Sequence, residues 1–355
     1  MEPLISALTS LDGVTTQWMT CALSSAFPSV AVTAITPIRV INGMATKAHF
    51  QLTYDPCSRE QHALPQSVWL KAGFEKHAKK YSTAYRNEAL FFRDIAPQMG
   101  IECPKCYFCH FDEVTGRGII LLEDLLARGV SFVELGGAID LEPIKAALDL
   151  QAHLHASFWK SPLLDQLTWL TAGGSIVSDG VVDQLVSRWD TASAAPRFAA
   201  VRGALADKSR ILRAARRMWK NNAASSSCLL HGDAHPGNLY FDADRRAGYL
   251  DWQMTMRGSW AYDFSLLVIS ALDTVTRRRS EQDLLAHYLE RLAVYGVSDP
   301  PSFKTAWTLY RQFAFANFFW ALIPDTFQPE SVCTVLAHRA CEAIHDLESL
   351  TALGA

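Results

Sequence analysis

Three polar residues that can bind a cation or move a proton lie close together in one stretch of the chain. The stretch runs from 228 to 252 and reads CLLHGDAHPGNLYFDADRRAGYLDW. Asp233, Asn238 and Asp251 supply two carboxylates and a carboxamide, which are hard oxygen donors. Mg²⁺ accepts such donors when it also keeps phosphate oxygens and waters. The stretch therefore predicts a magnesium site that uses Asn238 and Asp251, with Asp233 beside it.

The hydrophobic pattern of this stretch predicts how the three residues meet. Short apolar runs at 240–241 and 248–250 flank a polar turn, which is the pattern of a strand–turn–strand hairpin. A hairpin places its two outer ends side by side. Asp233 and Asn238 precede the first strand and Asp251 follows the second, so we expect the three side chains to lie close together.

The spacing of these residues resembles the catalytic loop of the protein-kinase-like fold. In that fold an Asp is followed, after four residues, by an Asn, and a metal-binding Asp lies on the next hairpin. The form His231-Gly232-Asp233 is similar to the small-molecule branch of the fold, which contains the aminoglycoside phosphotransferases and the choline kinases. The ecdysteroid kinase-like subfamily and its bacterial relatives are similar in further blocks, at 87–92, 103–107, 121–125 and 251–253. The resemblance covers residues 38 to 350.

The resemblance implies an ATP-dependent phosphotransferase that acts on a hydroxyl group of a small molecule. Asp233 would accept the proton of that hydroxyl, while Asn238 and Asp251 would hold Mg²⁺. His231 is expected to brace the loop through its two ring nitrogens. His235 is expected either to brace the loop or to contact the substrate or a phosphate.

Two further positions complete this loop. Asp263 resembles a helix-borne Asp of the family that holds the catalytic loop by accepting its backbone N–H bonds. Gly232 stands where protein kinases place an arginine that pairs with a phosphorylated activation loop. Without that cation we expect an enzyme that is competent without phosphorylation.

Two charged residues in the first half of the chain fit the nucleotide-binding part of the resemblance. Lys71 ends an apolar strand, and Glu88 lies in the helical pattern at 81–95. Lys71 would reach the α- and β-phosphates of ATP, and Glu88 would fix its position by an ion pair. Each residue is commonplace alone, and their order ahead of Asp233 is what singles them out.

Two backbone segments are expected to contact the nucleotide. The phosphate-covering loop is placed at 42–46, where small residues let backbone N–H groups approach phosphate oxygens, namely Gly43, Ala45 and Thr46. The G-x-G-x-x-G form of protein kinases is absent there. The hinge between the lobes would receive adenine through the backbone of three residues, Glu123, Asp124 and Leu125.

The order of the elements predicts the fold class. A variable helical segment at 1–36 is followed by strands at 38–41, 48–54, 68–71, 107–112 and 118–122. Beyond them the chain is helical apart from the central hairpin. A strand-rich half followed by a helix-rich half predicts an α+β fold with two lobes. We assign a small β-rich N-lobe to 1–122, a hinge to 123–127 and a larger α-helical C-lobe to 128–355.

The acceptor site is expected in the C-lobe. Seven aromatic residues crowd one predicted helix: Trp307, Tyr310, Phe313, Phe315, Phe318, Phe319 and Trp320. Most would be core, but they cannot all face one stripe, so some are expected to line an apolar cavity. This favours a lipophilic alcohol over a polycationic aminoglycoside, which would require an acidic pocket. The basic segments 208–220 and 277–279 are expected to be solvated faces, although a phosphate-bearing acyl-CoA could use them.

Length and charge limit the other functions. The chain has 355 residues, of which 49% are hydrophobic and 19% charged, enough for two globular lobes. Its net charge of −3 provides no broad basic surface for nucleic acid. No apolar run approaches about 20 residues and no signal peptide is evident. We therefore expect a cytoplasmic enzyme, monomeric or homodimeric, without a membrane span.

Four residues form a cluster of possible metal or haem ligands: Cys103, Cys106, Cys109 and His110, in the sequence CPKCYFCH. It contains the C-x-x-C-H pattern of haem attachment. A haem or zinc site would need export or a further group of ligands, and the other cysteines are scattered singly. We interpret the cluster as strand packing with reduced thiols.

Other functions would use the same residues. An antibiotic kinase or a hydroxyacyl-CoA kinase would share the machinery and differ in its acceptor. A pseudokinase would bind nucleotide without turnover. The presence of Lys71, Asp233, Asn238 and Asp251 argues against that alternative, because such proteins usually lack at least one of them.

Overall fold

The computed structural model describes residues 8–61, 63–76, 78–137, 139–173, 182, 186–225, 228–324 and 327–355. The chain divides into two compact units. The first unit contains Met1–Met99 and Cys103–Val130, and the second contains Gly100–Glu102 and Ser131–Ala355. The hinge predicted at 123–127 lies within the first unit, close to its end.

A five-stranded sheet with the order β1-β2-β3-β5-β4 organises the first unit. All neighbouring strands in it are antiparallel. The strands are β1 (Val32–Ile41), β2 (Thr46–Tyr54), β3 (Ser67–Ala72), β4 (Cys106–Asp112) and β5 (Arg117–Glu123). Helices α1 (Thr16–Leu23) and α2 (Pro56–Gln61) precede β1 and β3 respectively.

The alternation of side chains along β2 shows which face of the sheet is core. Phe50, Leu52 and Tyr54 are buried, whereas the residues between them are exposed. Successive side chains of a strand point to opposite faces, so these three share one face. They belong to one apolar cluster with Trp18 of α1.

Strand β1 begins earlier than the sequence predicted. The helical prediction for residues 1–36 agrees with α1 but is wrong from Val32, which pairs with Tyr54. Residues 32–36 read Val-Thr-Ala-Ile-Thr, and β-branched side chains favour an extended backbone. Residues 1–7 lie outside the described part of the chain.

The helical segment that carries Glu88 packs closely on the sheet. It has three consecutive pieces, a 3-10 turn (Ala78–Tyr81), α3 (Ser82–Leu90) and a π-helical turn (Phe91–Ile95). A Cβ built on Gly118 of β5 would lie 2.7 Å from the Tyr85 carbonyl oxygen of α3. Glycine at this position therefore allows the helix to approach the strand.

Helices make up most of the second unit. They are α4 (Leu141–Ser157), α5 (Leu163–Gln166), α6 (Trp189–Ala192), α7 (Lys208–Ala224), α8 (Trp260–Ala271), α9 (Thr274–Val294), α10 (Phe303–Phe313), α11 (Glu330–Asp346) and α12 (Ser349–Ala352). The predicted α+β class is confirmed. Among the described helices, none combines the length and the apolar character that a membrane crossing requires.

Two small sheets complete the second unit, with the orders β6-β8-β9 and β10-β7. Both are antiparallel. Their strands are β6 (Ser131–Phe132), β7 (Cys228–Leu230), β8 (Leu239–Phe241), β9 (Ala247–Tyr249) and β10 (Met256–Gly258).

The aromatic segment at 307–320 is not a single helix, contrary to the prediction. Helix α10 ends at Phe313, and a 3-10 helix follows at Ala314–Ala321. Side chains three residues apart eclipse in a 3-10 helix, and the rings of Phe315 and Phe318 stack with centroids 5.6 Å apart. Five of the seven aromatic residues are buried: Tyr310, Phe313, Phe315, Phe318 and Trp320.

The prediction that Arg277 belongs to a solvated basic face is wrong. Arg277 is 1% exposed, because it falls on the buried stripe of α9. Its guanidinium donates a 2.7 Å hydrogen bond to Glu281 and pairs with Asp346 of α11. The basic residues of α7 that were expected to be solvated are largely exposed.

We expect Arg277→Met to destabilise the protein strongly. The substitution leaves the Glu281 carboxylate buried without its cation, which typically costs about 3–5 kcal/mol. The neighbouring Arg279→Met is the control, because Arg279 is exposed and surface changes usually cost less than about 0.5 kcal/mol. Thermal unfolding of both variants measures the difference, and similar melting temperatures would contradict the assigned role.

Candidate active site

The central hairpin of the second unit brings the two ends of the sequence motif together. Strands β8 and β9 pair in antiparallel register, with Leu239 opposite Tyr249. At the open end, the Leu250 N–H donates a 2.8 Å hydrogen bond to the Asn238 carbonyl oxygen. Asp251 follows in the left-handed region, with φ of 62° and ψ of 70°. The hairpin predicted from the sequence is therefore present.

Asp233 lies on the loop between β7 and β8 and is held from within that loop. The Asn238 side-chain nitrogen donates to the Asp233 carbonyl oxygen at 2.9 Å and to its carboxylate at 3.1 Å. His235 Nε2 lies 3.5 Å from the same carboxylate oxygen. The Asp233 side chain nevertheless remains 41% exposed, so it can be reached from solvent.

The charges of Asp233 and His235 support each other. Loss of water around the buried His235 and the partly buried Asp233 opposes a charge on each, but their mutual attraction outweighs this effect. The pKa of the His235 imidazole is raised, and the pKa of the Asp233 carboxyl is lowered. Asp233 is thus ionised at neutral pH and has the charge that a proton acceptor requires.

Asp263 fixes the backbone that precedes Asp233. Its carboxylate, on α8, accepts hydrogen bonds from the backbone N–H groups of His231 at 2.7 Å and Gly232 at 3.0 Å. Asp263 is fully buried. Hydrogen bonds to an ionised acceptor are about twice as strong as neutral ones. These are the contacts that the sequence analysis assigned to Asp263.

His231 braces the same loop through both ring nitrogens. Nε2 lies 2.8 Å from the Leu250 carbonyl oxygen, and Nδ1 accepts from the Asp233 N–H at 3.2 Å. Burial lowers the pKa of His231, so the imidazole is neutral and Nε2 carries the proton. The histidine therefore links the Asp233 loop to the residue before Asp251.

Sequence reasoning missed a second layer of buried polar residues behind Asp263. His155 Nε2 lies 3.3 Å from the Asp263 carboxylate, and its Nδ1 lies 2.6 Å from the Tyr288 hydroxyl. Gln151 donates to the Tyr249 hydroxyl and to the Asp263 carbonyl oxygen. The available signal was the spacing of Gln151 and His155, four residues apart on the same face of α4.

Gly232 is required by its backbone and by its surroundings. Its φ is +81°, a region that residues with a Cβ rarely adopt. A Cβ built there would also collide with the Met254 carbonyl oxygen. An arginine, which protein kinases place at this position, does not fit this loop.

The donor atoms fit the predicted magnesium ion in chemical type. The side-chain nitrogen of Asn238 is committed to Asp233, so its side-chain oxygen is the atom that a cation would bind. Asp251 adds a carboxylate on the adjoining chain end. Within the described ranges, no group of three or more His, Cys, Asp and Glu side chains is placed to hold a metal. The donor set therefore depends on the Asn238 amide.

In the first unit, Lys71 and Glu88 form the predicted ion pair. Lys71 Nζ lies 2.9 Å from one Glu88 carboxylate oxygen and 2.8 Å from the other. Both side chains are at least nine-tenths buried. A buried ammonium held by two oxygen contacts has a fixed position, which is what a phosphate-binding lysine needs.

The segment expected to cover phosphate, 42–46, consists of the connection between β1 and β2 and the first residue of β2. Gly43 is exposed, and a Cβ built on it would meet no atom within 4 Å. Ala45 and Thr46 are buried, and the Thr46 hydroxyl donates to Glu75 at 3.0 Å. Only the backbone of this loop is suited to the predicted role.

The segment 123–125 is tied down by its own unit. Glu123 forms two hydrogen bonds with the Lys105 backbone, through its N–H and through its carboxylate. The Asp124 carboxylate accepts from Ser67 at 2.7 Å and contacts His49 at 2.9 Å. Leu125 is buried. The Glu123 N–H is therefore engaged and unavailable to adenine.

A comparison with protein families identifies the family of this chain. The family described as phosphotransferase enzyme family matches residues 74–304, which is more than half of the chain. The chain belongs to this family. The phosphotransferase transfers phosphate to a hydroxyl group of a small molecule. The predicted relation to aminoglycoside phosphotransferases and choline kinases is confirmed, whereas the ecdysteroid kinase-like subfamily stays a prediction.

Solved structures share the fold of the phosphotransferase at low sequence identity. A Ralstonia eutropha JMP134 protein classed as an aminoglycoside phosphotransferase has 13% identity and a TM-score of 0.52, covering 94% of this chain and 98% of its own. Choline kinase LicA from Streptococcus pneumoniae has 14% identity and a TM-score of 0.48, covering 93% and 98%. No curated protein sequence matches.

A macrolide phosphotransferase is similar to the same extent. Macrolide 2′-phosphotransferase MphH from Brachybacterium faecium has 13% identity and a TM-score of 0.47, covering 90% of this chain and 97% of its own. Likenesses at identities this low do not identify an acceptor. The predicted protein-kinase-like fold of the phosphotransferase is confirmed.

Gly232→Ala is expected to abolish activity and lower the melting temperature. The new Cβ must displace the Met254 carbonyl at a positive φ, which strains the loop by about 1–3 kcal/mol. Gly100→Ala is the control, because no atom lies within 4 Å of a Cβ there and its φ is ordinary. Unfolding and turnover of both variants test this, and an active Gly232→Ala protein would refute the assigned strain.

The pH dependence of stability should reveal the Asp233–His235 pair. The pKa of His235 is raised in the folded state. Its stabilising contribution to the free energy of unfolding is therefore complete below pH 6.5 and is lost as pH rises through the folded-state pKa. The pKa of Asp233 is lowered, so its contribution is present above 3.8 and is lost as pH falls. The melting temperatures of the wild type and of His235→Gln should differ most between pH 3.8 and pH 6.5.

His153→Gln provides a control of opposite sign. Burial lowers the pKa of His153 in the folded state. The contribution of His153 to the free energy of unfolding therefore increases as pH rises through its folded-state pKa. The gap between wild type and His235→Gln should shrink with rising pH, whereas the gap for His153→Gln should widen. Parallel curves for the two variants would show that His235 is not charged by Asp233.

Proposed function

We propose that this phosphotransferase moves the γ-phosphoryl group of ATP to the hydroxyl of a small, largely apolar molecule. The observation that carries the proposal is the placement of Asp233. It is ionised, exposed at its tip and held on a loop by Asn238 and His235. The same loop is anchored by Asp263. A rigidly held carboxylate is suited to orient a hydroxyl and accept its proton.

In this proposal each polar residue of the loop has its own task. Asp233 accepts the hydroxyl proton as the bond to phosphorus forms. His235 keeps that carboxylate charged between reactions, because its imidazolium lies beside it. His231 and Asp263 hold the backbone and do not contact the substrate. Positioning of this kind supplies most of the catalysis in phosphoryl transfer.

Magnesium would be held by Asn238 and Asp251. When bound there, Mg²⁺ would offset the negative charge that develops on the phosphate oxygens. Asn238 contributes its side-chain oxygen, because its nitrogen donates to Asp233. Asp251 would contribute its carboxylate, and the hydrogen bond from the Leu250 N–H to the Asn238 carbonyl oxygen holds the preceding residue beside residue 238.

The nucleotide would be positioned by Lys71, with Glu88 holding the lysine in place. Backbone groups of the loop at 42–46 would cover the phosphates. Of the predicted hinge contacts, those of Asp124 and Leu125 stay in the proposal, whereas the Glu123 N–H is withdrawn because it binds Lys105.

The proposal of a lipophilic acceptor rests on fewer aromatic residues than the sequence suggested. The ring of Trp320 packs edge-on against His235, with centroids 5.6 Å apart. An aromatic side chain thus contacts the histidine that lies beside the proposed base, Asp233. Trp307 and Phe319 are half-buried and can offer further apolar surface, while the other aromatic residues are core. An antibiotic or a hydroxyacyl-CoA remains the alternative acceptor.

The proposal also includes location and assembly. The eight cysteines form no disulfide, which agrees with the reducing cytoplasm. We propose a cytoplasmic enzyme that works as a monomer or homodimer on a small-molecule substrate.

Asp233→Asn should remove turnover while leaving nucleotide binding intact. General base catalysis typically contributes about 10²- to 10⁴-fold, and the amide cannot accept the proton. The measurement is magnesium-dependent ADP release over hydroxylated metabolites, sterols, macrolides, aminoglycosides and acyl-CoAs, with phosphorylated product identified by mass. Calorimetry with ATP measures binding separately.

Lys71→Met is the matched comparison for that experiment. It removes the phosphate-binding cation and should weaken ATP binding in the calorimeter, whereas Asp233→Asn should not. Wild-type protein that binds ATP but phosphorylates none of these compounds would support the pseudokinase alternative. Equal turnover by wild type and Asp233→Asn would reject the proposed base.

A further inference from the structure

The register of β4 determines how two cysteines of the cluster noted in the sequence lie relative to each other. Cys106 lies opposite Leu122 of β5, and Cys109 lies opposite Ile120. Residues three apart on a regular strand point to opposite faces. Here a β-bulge between Cys106 and Phe108 inserts one extra residue and reverses that relation. The two cysteines therefore share one face, two ladder positions apart.

That face is the one on which α3 packs. Phe111, two residues after Cys109 on the same strand, packs with Tyr85 of α3. The Glu88 carboxylate is close enough to the Cys106 thiol to raise its pKa, and the Arg93 guanidinium acts on Cys109 in the opposite direction. Both cysteines are half-buried. The pair thus lies between β4 and the helix whose glutamate holds Lys71.

The two thiols differ in acidity. Their mutual interaction lowers the pKa of Cys109 and raises that of Cys106. Cys109 is the better thiolate, and Cys106 keeps its proton. The Cys106 sulfur also lies 3.1 Å from the Phe108 carbonyl oxygen, which orients it along the strand. A nucleophilic thiol beside a resolving thiol is the arrangement found at redox-sensitive cysteines.

We propose that Cys106 and Cys109 form a redox modification site, which closes to an intramolecular disulfide when a peroxide oxidises it. The Cys109 thiolate attacks one peroxide oxygen, the O–O bond breaks, and the sulfenic acid of Cys109 forms with release of water. The Cys106 sulfur then attacks the Cys109 sulfur and displaces a second water. Two thiols are oxidised by two electrons, and hydrogen peroxide is reduced to two waters.

The ladder spacing predicts a disulfide that is easily reduced. Residues two positions apart on a strand have Cα atoms separated by about 6.8 Å. Disulfides span Cα distances of about 4.4–6.8 Å, so this bond lies at the upper limit. Closing it must draw the strand inward beneath α3. Strained disulfides have the more oxidising potentials that are typical of regulatory sites.

The consequence for activity rests on the function proposed above. Glu88 lies on α3, which packs on the part of β4 that the bond would draw inward, and Lys71 takes its position from Glu88. Oxidation should therefore loosen the lysine that we assign to the phosphates. The expected effect is about tenfold weaker ATP binding, within the usual range of coupling between sites.

A mass measurement tests the site without reference to activity. The full chain is treated with hydrogen peroxide, denatured, blocked with N-ethylmaleimide and digested with trypsin. Cleavage after Lys105 and Arg117 gives peptide 106–117, which contains both cysteines of the pair and excludes Cys103. Oxidised protein should yield this peptide without maleimide and lighter by two hydrogens, and dithiothreitol should restore both adducts.

Variants identify the partners of the bond. Cys57→Ser removes an exposed cysteine and should leave disulfide formation unchanged. Cys109→Ser should leave Cys106 open to maleimide after the same treatment. Retention of both adducts on the wild-type peptide, or a bond from Cys106 to Cys103, would overturn the proposal.

Calorimetry with ATP separates this inference from the proposed function. Oxidised wild type should bind ATP about tenfold more weakly than reduced wild type. Oxidised Cys109→Ser should bind as its reduced form does. Equal affinity in both wild-type states would reject the link to Glu88. Reduced protein that binds no ATP would reject the proposed function, while the mass result would still decide the disulfide.

Discussion

The hydrogen bonds from the His231 and Gly232 backbone to Asp263 are the constraint on which the active site depends. They fix the chain just before Asp233 at a positive φ that only glycine accommodates readily. A fully buried carboxylate is stable there because it is surrounded by donors, including His155. The Asp233 carboxylate, the Asn238 amide and the Asp251 backbone derive their mutual arrangement from this anchor.

The local chemistry of the site was predictable from the sequence because it is encoded in short spacings. Asp233, Asn238 and Asp251 occur with apolar runs whose lengths permit only a tight hairpin, and β8 and β9 form it. Lys71 and Glu88 occur in the order strand, then helix, and their ion pair follows from that order once the helix packs on the sheet. The division into a strand-rich half and a helix-rich half follows from the hydrophobic pattern, which changes along the chain from the alternation typical of strands to the repeat typical of helices.

The parts that were not predictable depend on contacts between distant segments. Arg277 resembles its exposed neighbours in sequence, and its burial becomes clear only when the acidic partners Glu281 and Asp346 are placed around it. Gln151 and His155 gain a role only because α8 brings Asp263 beside them. The change from α-helix to 3-10 helix after Phe313, where the rings of Phe315 and Phe318 stack, was not evident from the helical spacing of the aromatic residues. Cys106 and Cys109 share one face of β4 only because a β-bulge inserts a single extra residue between them.

The left-handed backbone of Asp251 implies a trade-off between folding and function. For an L-residue with a Cβ this conformation costs about 1–2 kcal/mol, and glycine would adopt it almost without penalty. A sequence selected for stability alone would therefore favour glycine at this position. The aspartate after β9 therefore carries a thermodynamic cost, and selection for thermostability would first replace the residue that we propose as a cation ligand.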